Sequence, residues 1–300
     1  MRSSQALDCR GRRLTLDRPR IMAVLNITPD SFSDGGRWLS DTRHGAQVPA
    51  VDTVVSAARS MLIEGADILD VGGESTRPGA AHVSAQQQCD RVMPVVEALL
   101  KLDTIVSVDT SSVLVAREAL AAGVHLINDV RALREEGMVD TVIESGAAVC
   151  LMHMQGEPRT MQEQPFYRDV LIEVQDFLAD RVRKCRAAGI AHGRIALDPG
   201  IGFGKTLDHN LELLRRLAQL TNSTDTQDLP ILVGLSRKRT VGELTDRPAD
   251  ERDTGSAVLA AYAVQQGAAI IRAHNVAATR DALRIAHALR PEHLAGEGSC

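Results

Sequence analysis

Eight short apolar runs in this 300-residue chain are each followed, within a few residues, by side chains able to bind or react: Asn26; Thr76 and Arg77; Asp109; Asn128; His153; Asp198; Lys238; and Arg272 with His274. Taken singly, each has an ordinary explanation. Asp109 or Asp198 could cap a helix or form a turn, Asn128 could sit in a turn, and Lys238 could be a solvated loop charge. A placement repeated at the end of every run carries more weight than any one residue. Asp109, Asn128, Asp198 and Lys238 combine fixed acceptors and donors with one flexible cation, which suits a planar heterocycle bearing ring N–H and C=O groups. Arg77, Arg272, His274 and Asn26 offer cations and donors suited to phosphate oxygens. Together they imply a flat, amide-rich ring that carries a phosphate tail.

The runs that must position these groups lie at 21–25, 68–71, 105–108, 124–127, 148–152, 195–197, 231–233 and 269–271. Most are continuous rather than alternating, as in strands buried on both faces of a parallel sheet. Between them fall helical stripes: Val51, Val54, Val55, Ala58, Met61 and Leu62; Val92, Val95, Val96 and Leu99; Val170, Val174, Phe177, Leu178 and Val182; and Leu213, Leu214, Leu217 and Leu220. Eight strand-and-helix units of roughly 35 residues predict an α/β protein folded as a (β/α)₈ TIM barrel. An open doubly wound sheet is the alternative. The expected division is an N-terminal extension over 1–19, a single barrel domain over 20–290 and a C-terminal tail over 291–300. Two long connections, 28–49 after the first strand and 72–84 after the second, are read as lids over the site. Residues 38–49 also fit an insertion without regular structure.

Composition narrows the partners. With 34 basic and 39 acidic residues the net charge is −5, so nothing draws the chain to nucleic acid or to an anionic membrane. Seven aromatic residues are too few for a nucleic-acid stacking platform. Five scattered cysteines without a Cys-x-x-Cys pair form no disulfide framework or zinc knuckle, and no apolar run approaches the roughly 18 residues of a membrane span. A cytoplasmic location is expected. The segment from Gly200 through Lys205 to Thr206 misses the phosphate-loop spacing, because Pro199 stands where its first glycine belongs; a tight turn carrying Phe203 toward a ligand fits better. His44, His82, His125, His192, His209, His287 and His293 lack metal-ligand spacing, and Asp70 and Glu74 are read as structural hydrogen-bonding groups. A hard cation needs little from the protein when a polyphosphate supplies oxygens, so Asn26 could suffice for Mg²⁺.

The motifs Asn26-Ile-Thr-Pro-Asp-Ser-Phe-Ser-Asp-Gly35, Gly72-Gly-Glu-Ser-Thr-Arg-Pro-Gly79, Ser107-Val-Asp-Thr-Ser111, Ile127-Asn-Asp-Val130, Met152-His-Met-Gln-Gly156, Asp198-Pro-Gly-Ile-Gly-Phe-Gly-Lys205 and Ser236-Arg-Lys238 closely resemble, in order, those of the bacterial dihydropteroate synthases. The resemblance implies a homodimeric barrel enzyme that joins para-aminobenzoate to 6-hydroxymethyl-7,8-dihydropterin pyrophosphate with the help of Mg²⁺. It also implies roles. Asp109, Asn128, Asp198 and Lys238 would hold the pterin ring, Arg272 would stack on it, and Met152 and Thr76 would complete the pterin pyrophosphate site. Asn26, Arg77 and His274 would meet pyrophosphate and metal, with Asn26 as the metal contact. Phe32, Thr76, Pro78 and Phe203 would frame para-aminobenzoate, and Asp34, Arg77 and Lys238 would be the catalytic positions. Two residues depart from the family pattern: Arg239 stands where many relatives have serine, and Asn275 where aspartate is frequent.

Rival readings differ in what they require. A corrinoid-dependent methyltransferase barrel would share the Asp-Asn-Asp grip but has no need of Arg77 and His274. A non-catalytic paralogue would bind without turnover. An aldolase or isomerase barrel would place a Schiff-base lysine or a Glu/His pair at strand ends.

Overall fold

Alternate residues of each apolar run point to opposite faces of a strand, and here both faces find apolar partners. The computed structural model describes residues 6–28, 39–41, 47–75, 83–157 and 160–290. Eight parallel strands, β1 (Arg20–Asn26), β2 (Ile68–Gly72), β3 (Ile105–Asp109), β4 (Leu126–Asp129), β5 (Ala148–Met152), β6 (Ile195–Asp198), β7 (Leu232–Gly234) and β8 (Ile270–Ala273), form one sheet in the order β6-β5-β4-β3-β2-β1-β8-β7. A parallel bridge between Leu197 and Ile231, with the Leu197 N–H donating to the Pro230 carbonyl at 2.9 Å, joins the two ends. The sheet is therefore a closed (β/α)₈ barrel, and the open-sheet alternative is excluded.

Residues that face outward, such as Leu69, Val71, Val106, Val108, Val149 and Leu151, share a buried cluster with the surrounding helices. Inward positions change character along several of the strands. At the N-terminal end Met22, Ile68, Ile105, Leu126, Ala148, Ala196, Leu232 and Ile270 form an apolar layer. Two residues further along, Ile68 gives way to Asp70, Ile105 to Ser107, Leu126 to Asn128 and Ala196 to Asp198. One end of the barrel is oily and the other polar.

The oily end is closed by an antiparallel hairpin, Ala6–Cys9 paired with Arg12–Thr15, whose Leu7, Cys9 and Leu14 pack into the apolar layer. Arg10 and Gly11 both have positive φ, 56° and 80°, as a two-residue turn between twisted strands requires. The Arg10 guanidinium then donates to the Leu120 carbonyl at 2.7 Å and ties the turn to the barrel wall.

The helical stripes land where the spacing places them in α1 (Val51–Glu64), α2 (Ala85–Leu99) and α5 (Val170–Ala187). The leucine stripe at 213–220 is different. Helix α6 (Leu207–Arg215) ends at Arg216, which leaves helical geometry at φ −112° and ψ 20°, and Leu217 and Leu220 are buried from a following 3₁₀ turn, Leu217–Thr221. The remaining helices, α3 (Val113–Ala122), α4 (Met138–Ser145), α7 (Arg239–Thr245), α8 (Asp253–Gln265) and α9 (Val276–Ala288), complete the outer layer. The insertion reading of 38–49 also needs correction, because the backbone of Leu39–Asp41 pairs antiparallel with that of Gln47–Pro49.

Leu7 is fully buried at the centre of the plug, so Leu7→Ala removes a packed side chain and leaves a cavity. Urea denaturation is expected to show a loss of about 2–5 kcal/mol.

Candidate functional site

The register of the barrel sets the site. Asn26, Gly72, Asp109 and Asn128 are successive cross-strand partners on β1 to β4, and Asp198 pairs with Met152 across β6 and β5. All stand at C-terminal strand ends, and His274 follows directly on β8. Gly72 lacks a side chain where one would crowd the rim: a Cβ there would lie 3.2 Å from Asn26 Oδ1 and 3.7 Å from Asp109 Cβ.

At the floor of this rim lies a buried ionic network. Asp70 has no exposed surface; its Oδ1 accepts from Ser107 Oγ at 2.6 Å, and its Oδ2 accepts from Arg272 Nε at 2.6 Å and Asn128 Nδ2 at 3.1 Å. The other arm of Arg272 donates from Nη2 to Asp109 Oδ2 at 2.9 Å. The residue types alone grouped Arg272 with phosphate-binding cations. The structure instead joins it to the carboxylates, because the guanidinium is long enough to span the mouth from β8 to β2 and β3.

These contacts hold charge against burial. Burial pushes the Asp109 carboxyl up to about 7, against the pull of Arg272 and with the help of Asp70. Asp198 is likewise raised by burial, opposed by Lys238 and by the Gly200 N–H that donates to its Oδ1 at 2.7 Å. Burial brings the Lys238 amine down to about 8, with Asp198 resisting. Arg272 moves the other way: burial disfavours its charge, but Asp70 and Asp109 hold it above the ordinary guanidinium range.

Lys238 is more constrained than a flexible loop cation. It occupies the N-cap position of α7, its Nζ donates to the Ile201 carbonyl at 2.7 Å, and the same atom stands 4.5 Å from the centre of the Phe203 ring. Met152 is an apolar wall, packed with Val130, Met154, Met161 and Phe203. His274 is oriented by Ser236: the Ser236 hydroxyl accepts the His274 backbone N–H at 3.2 Å and lies 2.9 Å from Nδ1.

The turn after β6 explains its glycines. Gly200 has φ +68°, and a Cβ there would overlap the His153 carbonyl oxygen. Both family departures find structural roles. Asn275 caps α9 through Oδ1 to the Ala278 N–H at 3.0 Å, while its Nδ2 donates to Asp253, which also holds Arg237 through two bonds. Arg239 is largely exposed and paired with Glu243 at 2.6 Å, on the rim of a cavity of about 340 Å³ that also touches Gly202, Lys205 and Asn210.

Thr76, Arg77, Pro78, Phe32 and Asp34 lie outside the described residues. The others named from sequence, Asn26, Asp109, Asn128, Met152, Asp198, Phe203, Lys238, Arg272 and His274, occupy the C-terminal rim and the loops that follow it. Sequence reasoning passed over Lys205 and Ser236 as site groups, and it treated Asp70 as merely structural. Asp70 does make structural bonds, but they are the bonds that orient Arg272 and Asn128. Its signal was available: Asp70 stands two residues before Gly72 and Ser107 two before Asp109, the spacing of one strand face. Glu74 is structural, accepting from the Val83 N–H and Gln88 Nε2. His125 Nδ1 accepts the Val106 N–H, and His209 closes the cap of α6 with Thr206.

Comparison with known proteins places the chain among its relatives. The family model described as pterin binding enzyme matches residues 22–274. The dihydropteroate synthase of Escherichia coli K12 is 47% identical over 283 residues, covering 94% of this chain and 95% of that protein. Among solved structures, Yersinia pestis dihydropteroate synthase with a sulfonamide drug superposes with a TM-score of 0.87 at 47% identity, covering 94% of this chain and 98% of that one. The Burkholderia cenocepacia enzyme complexed with 7,8-dihydropteroate gives 0.83 at 43% identity, with coverage of 94% and 95%.

Asp70→Leu would strand the Arg272 guanidinium with one of its two carboxylates gone. Urea denaturation is expected to show a loss of about 3–5 kcal/mol. Asp103→Ala, which removes the exposed partner of Arg12, is expected to change stability by no measurable amount.

Proposed function

The chain belongs to the pterin-binding enzyme family and has the dihydropteroate synthase function of folate biosynthesis, and from that premise we propose how its own residues divide the work. The pterin ring of 6-hydroxymethyl-7,8-dihydropterin pyrophosphate enters the barrel mouth, where Asp109, Asn128 and Asp198 meet its N–H and C=O edge. The observation that carries this assignment is the group of carboxylates at the mouth: buried Asp70 and half-buried Asp109 share the Arg272 guanidinium, and buried Asp198 stands on β6 with the Gly200 N–H on its Oδ1. Carboxylates aimed into a desolvated mouth favour a ligand rich in N–H donors over an anionic one. Met152 supplies an apolar wall, and Arg272 lies across the mouth where a flat ring could stack on it.

The pyrophosphate then projects toward the rim, to His274, Arg77 and Thr76. Its departure as the C–O bond stretches is eased by donors placed where charge develops, and the His274 imidazole, oriented by Ser236, is placed to be one of them. The carbon left behind carries positive charge spread into the pterin, which Asp34 and Asp109 stabilise. Para-aminobenzoate, framed by Phe32, Thr76, Pro78 and Phe203, attacks through its amine. The amine needs placement more than activation, so the reaction proceeds by an SN1-like displacement without a covalent enzyme intermediate. Lys238, pinned between Ile201 and Phe203, links the pterin side of the pocket to the aryl side.

The donor set also fits Mg²⁺. Asn26 offers one neutral amide oxygen at the rim beside Asp109, and a magnesium ion that takes its remaining ligands from pyrophosphate and water asks for little more. When bound, it would neutralise charge on the leaving group. Among the described residues no group of three or more His, Cys, Asp or Glu side chains is placed to hold a metal by itself.

The quaternary state is proposed as a homodimer. Val258 and Tyr262 on α8 and Ile285 and Leu289 at the end of α9 are exposed apolar residues in two i, i+4 pairs on neighbouring helices, a face that a second copy would cover. No helix among the described residues is long and apolar enough to cross a membrane. A cytoplasmic location is proposed, with no nucleic-acid partner.

Incubation with both substrates and Mg²⁺ is expected to yield 7,8-dihydropteroate by mass spectrometry, and its absence would overturn the reading. Arg77→Ala and His274→Ala are each expected to slow pyrophosphate release by roughly a hundredfold or more while leaving the thermal transition in place. Asp198→Asn is expected to weaken pterin binding about tenfold or more in calorimetry, with much less effect on para-aminobenzoate, since it replaces a charged acceptor of ring N–H bonds.

A further inference from the structure

The turn after β6 has an unusual property: five successive carbonyls, at 200 to 204, each accept a hydrogen bond from a side chain. Gly200 and Phe203 accept from Lys205 Nζ, both at 3.0 Å; Ile201 accepts from Lys238 Nζ at 2.7 Å; Gly202 from Gln162 Nε2 at 2.6 Å; and Gly204 from Tyr167 Oη at 2.8 Å. Lys205 alone serves two of the five. Its third partner is His153 Nδ1 at 2.9 Å, so three N–H donors meet three acceptors. Lys205 is 3% exposed, too deep to be a solvated charge.

His153 supplies an acceptor because it stays neutral. Burial, followed by the adjacent ammonium, brings its imidazole down to about 2. Its ring is also held edge-on to Phe177, with centres 5.0 Å apart. The Gly200 carbonyl accepts the Phe203 N–H as well, so Lys205 grips both ends of the turn that carries the phenyl ring.

We propose that Lys205 is a positioning residue for the aryl amine substrate: its ammonium, braced on His153, fixes the turn so that Phe203 is held against Lys238 as one wall of the amine's pocket. This rests on the functional reading above, in which Phe203 frames para-aminobenzoate. The pterin acceptors Asp109 and Asn128 sit on the strands themselves and make no hydrogen bond to the turn; Asp198 also sits on its strand, and its one tie to the turn is the Gly200 N–H, at the end farthest from Phe203. Loss of the Lys205 charge therefore separates the two substrates.

The electrostatics give the arrangement a pH dependence. Burial brings the Lys205 amine down to about 7, with Asp198 opposing and Lys238 adding to the fall. The groups that face it are His153, Asp198, Lys238 and the Tyr167 ring, 5.9 Å from Nζ. Above that pH the neutral amine has two N–H donors for three acceptors, so the three-way grip of the ammonium on Gly200, Phe203 and His153 is lost.

The test is steady-state kinetics of wild type and Lys205→Met from pH 6 to 9, with para-aminobenzoate and the pterin pyrophosphate varied separately. In the variant the KM for para-aminobenzoate is expected to rise about tenfold or more, while that for the pterin substrate stays within about twofold. In wild type the KM for the amine is expected to climb as pH rises through about 7, and the variant is expected to lack this climb. Equal rises in both KM values, or an unchanged pH profile in the variant, would overturn the proposal. Should Lys205→Met fail to fold, His153→Leu removes one acceptor and leaves the turn's own sequence intact. It is expected to raise the amine KM selectively and to move the inflection to lower pH; no selective change there would equally overturn the proposal. Wild-type enzyme that forms no dihydropteroate would defeat the functional reading itself, whereas a normal wild type with substrate-indifferent variants defeats only the role of Lys205.

Discussion

Arg272 binds two carboxylates at once across the mouth of the barrel, and the geometry of the whole site follows from that fork. Its Nε holds Asp70 and its Nη2 holds Asp109, so residues from β8, β2 and β3 are locked in one plane of contact. Asp70 then passes the constraint on, taking Ser107 on one oxygen and Asn128 on the other. Removing such charges from water is costly, and Coulomb attraction offsets the cost only when every lone pair and proton has a partner. Here each oxygen of Asp70 is engaged. The network adds little net stability over an apolar core of the same shape; it secures a single arrangement of acceptors before any ligand arrives.

That network can exist because the opposite end of the barrel is dry. The hairpin plug and the layer from Met22 to Ile270 exclude water from below, so the carboxylates face solvent only through the mouth. Gradation along a strand, apolar at the N-terminal end and polar at the C-terminal end, achieves this with one inward face. The outward face is apolar because the helices cover it, with an exception at the end of β4, where buried Asp129 accepts from Ser111 and from the Arg131 and Leu133 N–H groups. Continuous apolar runs in the sequence are the sum of these two patterns.

Much of this was legible from sequence because it depends on local alternation. All eight strands lie within a residue or two of their apolar runs, and, Thr76 and Arg77 lying outside the described residues, the polar residues after the other seven runs stand at the rim or in the loops that follow it. Helix α8 was harder, since Asp253–Gln265 is alanine-rich with apolar residues on every side and has no stripe for periodicity to find. The leucine stripe at 213–220 read as one helix although Arg216 breaks it, because burial of leucines every three to four residues is served equally by a helix and a following 3₁₀ turn. Partner choice was the least legible feature. Arg272 offers the same five donors to a phosphate or to a carboxylate, and only the register that places it opposite Met22 and within reach of Asp70 decides between them. The same holds for Lys205, whose role comes from His153, 52 residues away in the chain.

The ionisation of the mouth bears on which ligand it accepts. The carboxylates of half-buried Asp109 and buried Asp198 titrate above the ordinary range and the amine of half-buried Lys238 below it, so in the empty protein these groups lie closer to neutrality than exposed ones would. A ligand whose N–H groups donate to Asp109 or Asp198 favours the ionised carboxylate, and a carbonyl placed on Lys238 favours the ammonium. Binding energy is thus coupled to proton release from the acids and proton uptake by the amine, in opposite directions. A heterocycle with donors and acceptors on one edge satisfies both together. A simple anion would find Lys238 and Arg272 already facing carboxylates, so this charge pattern would favour a neutral ring with N–H donors over a bare anion, in keeping with the functional reading proposed above.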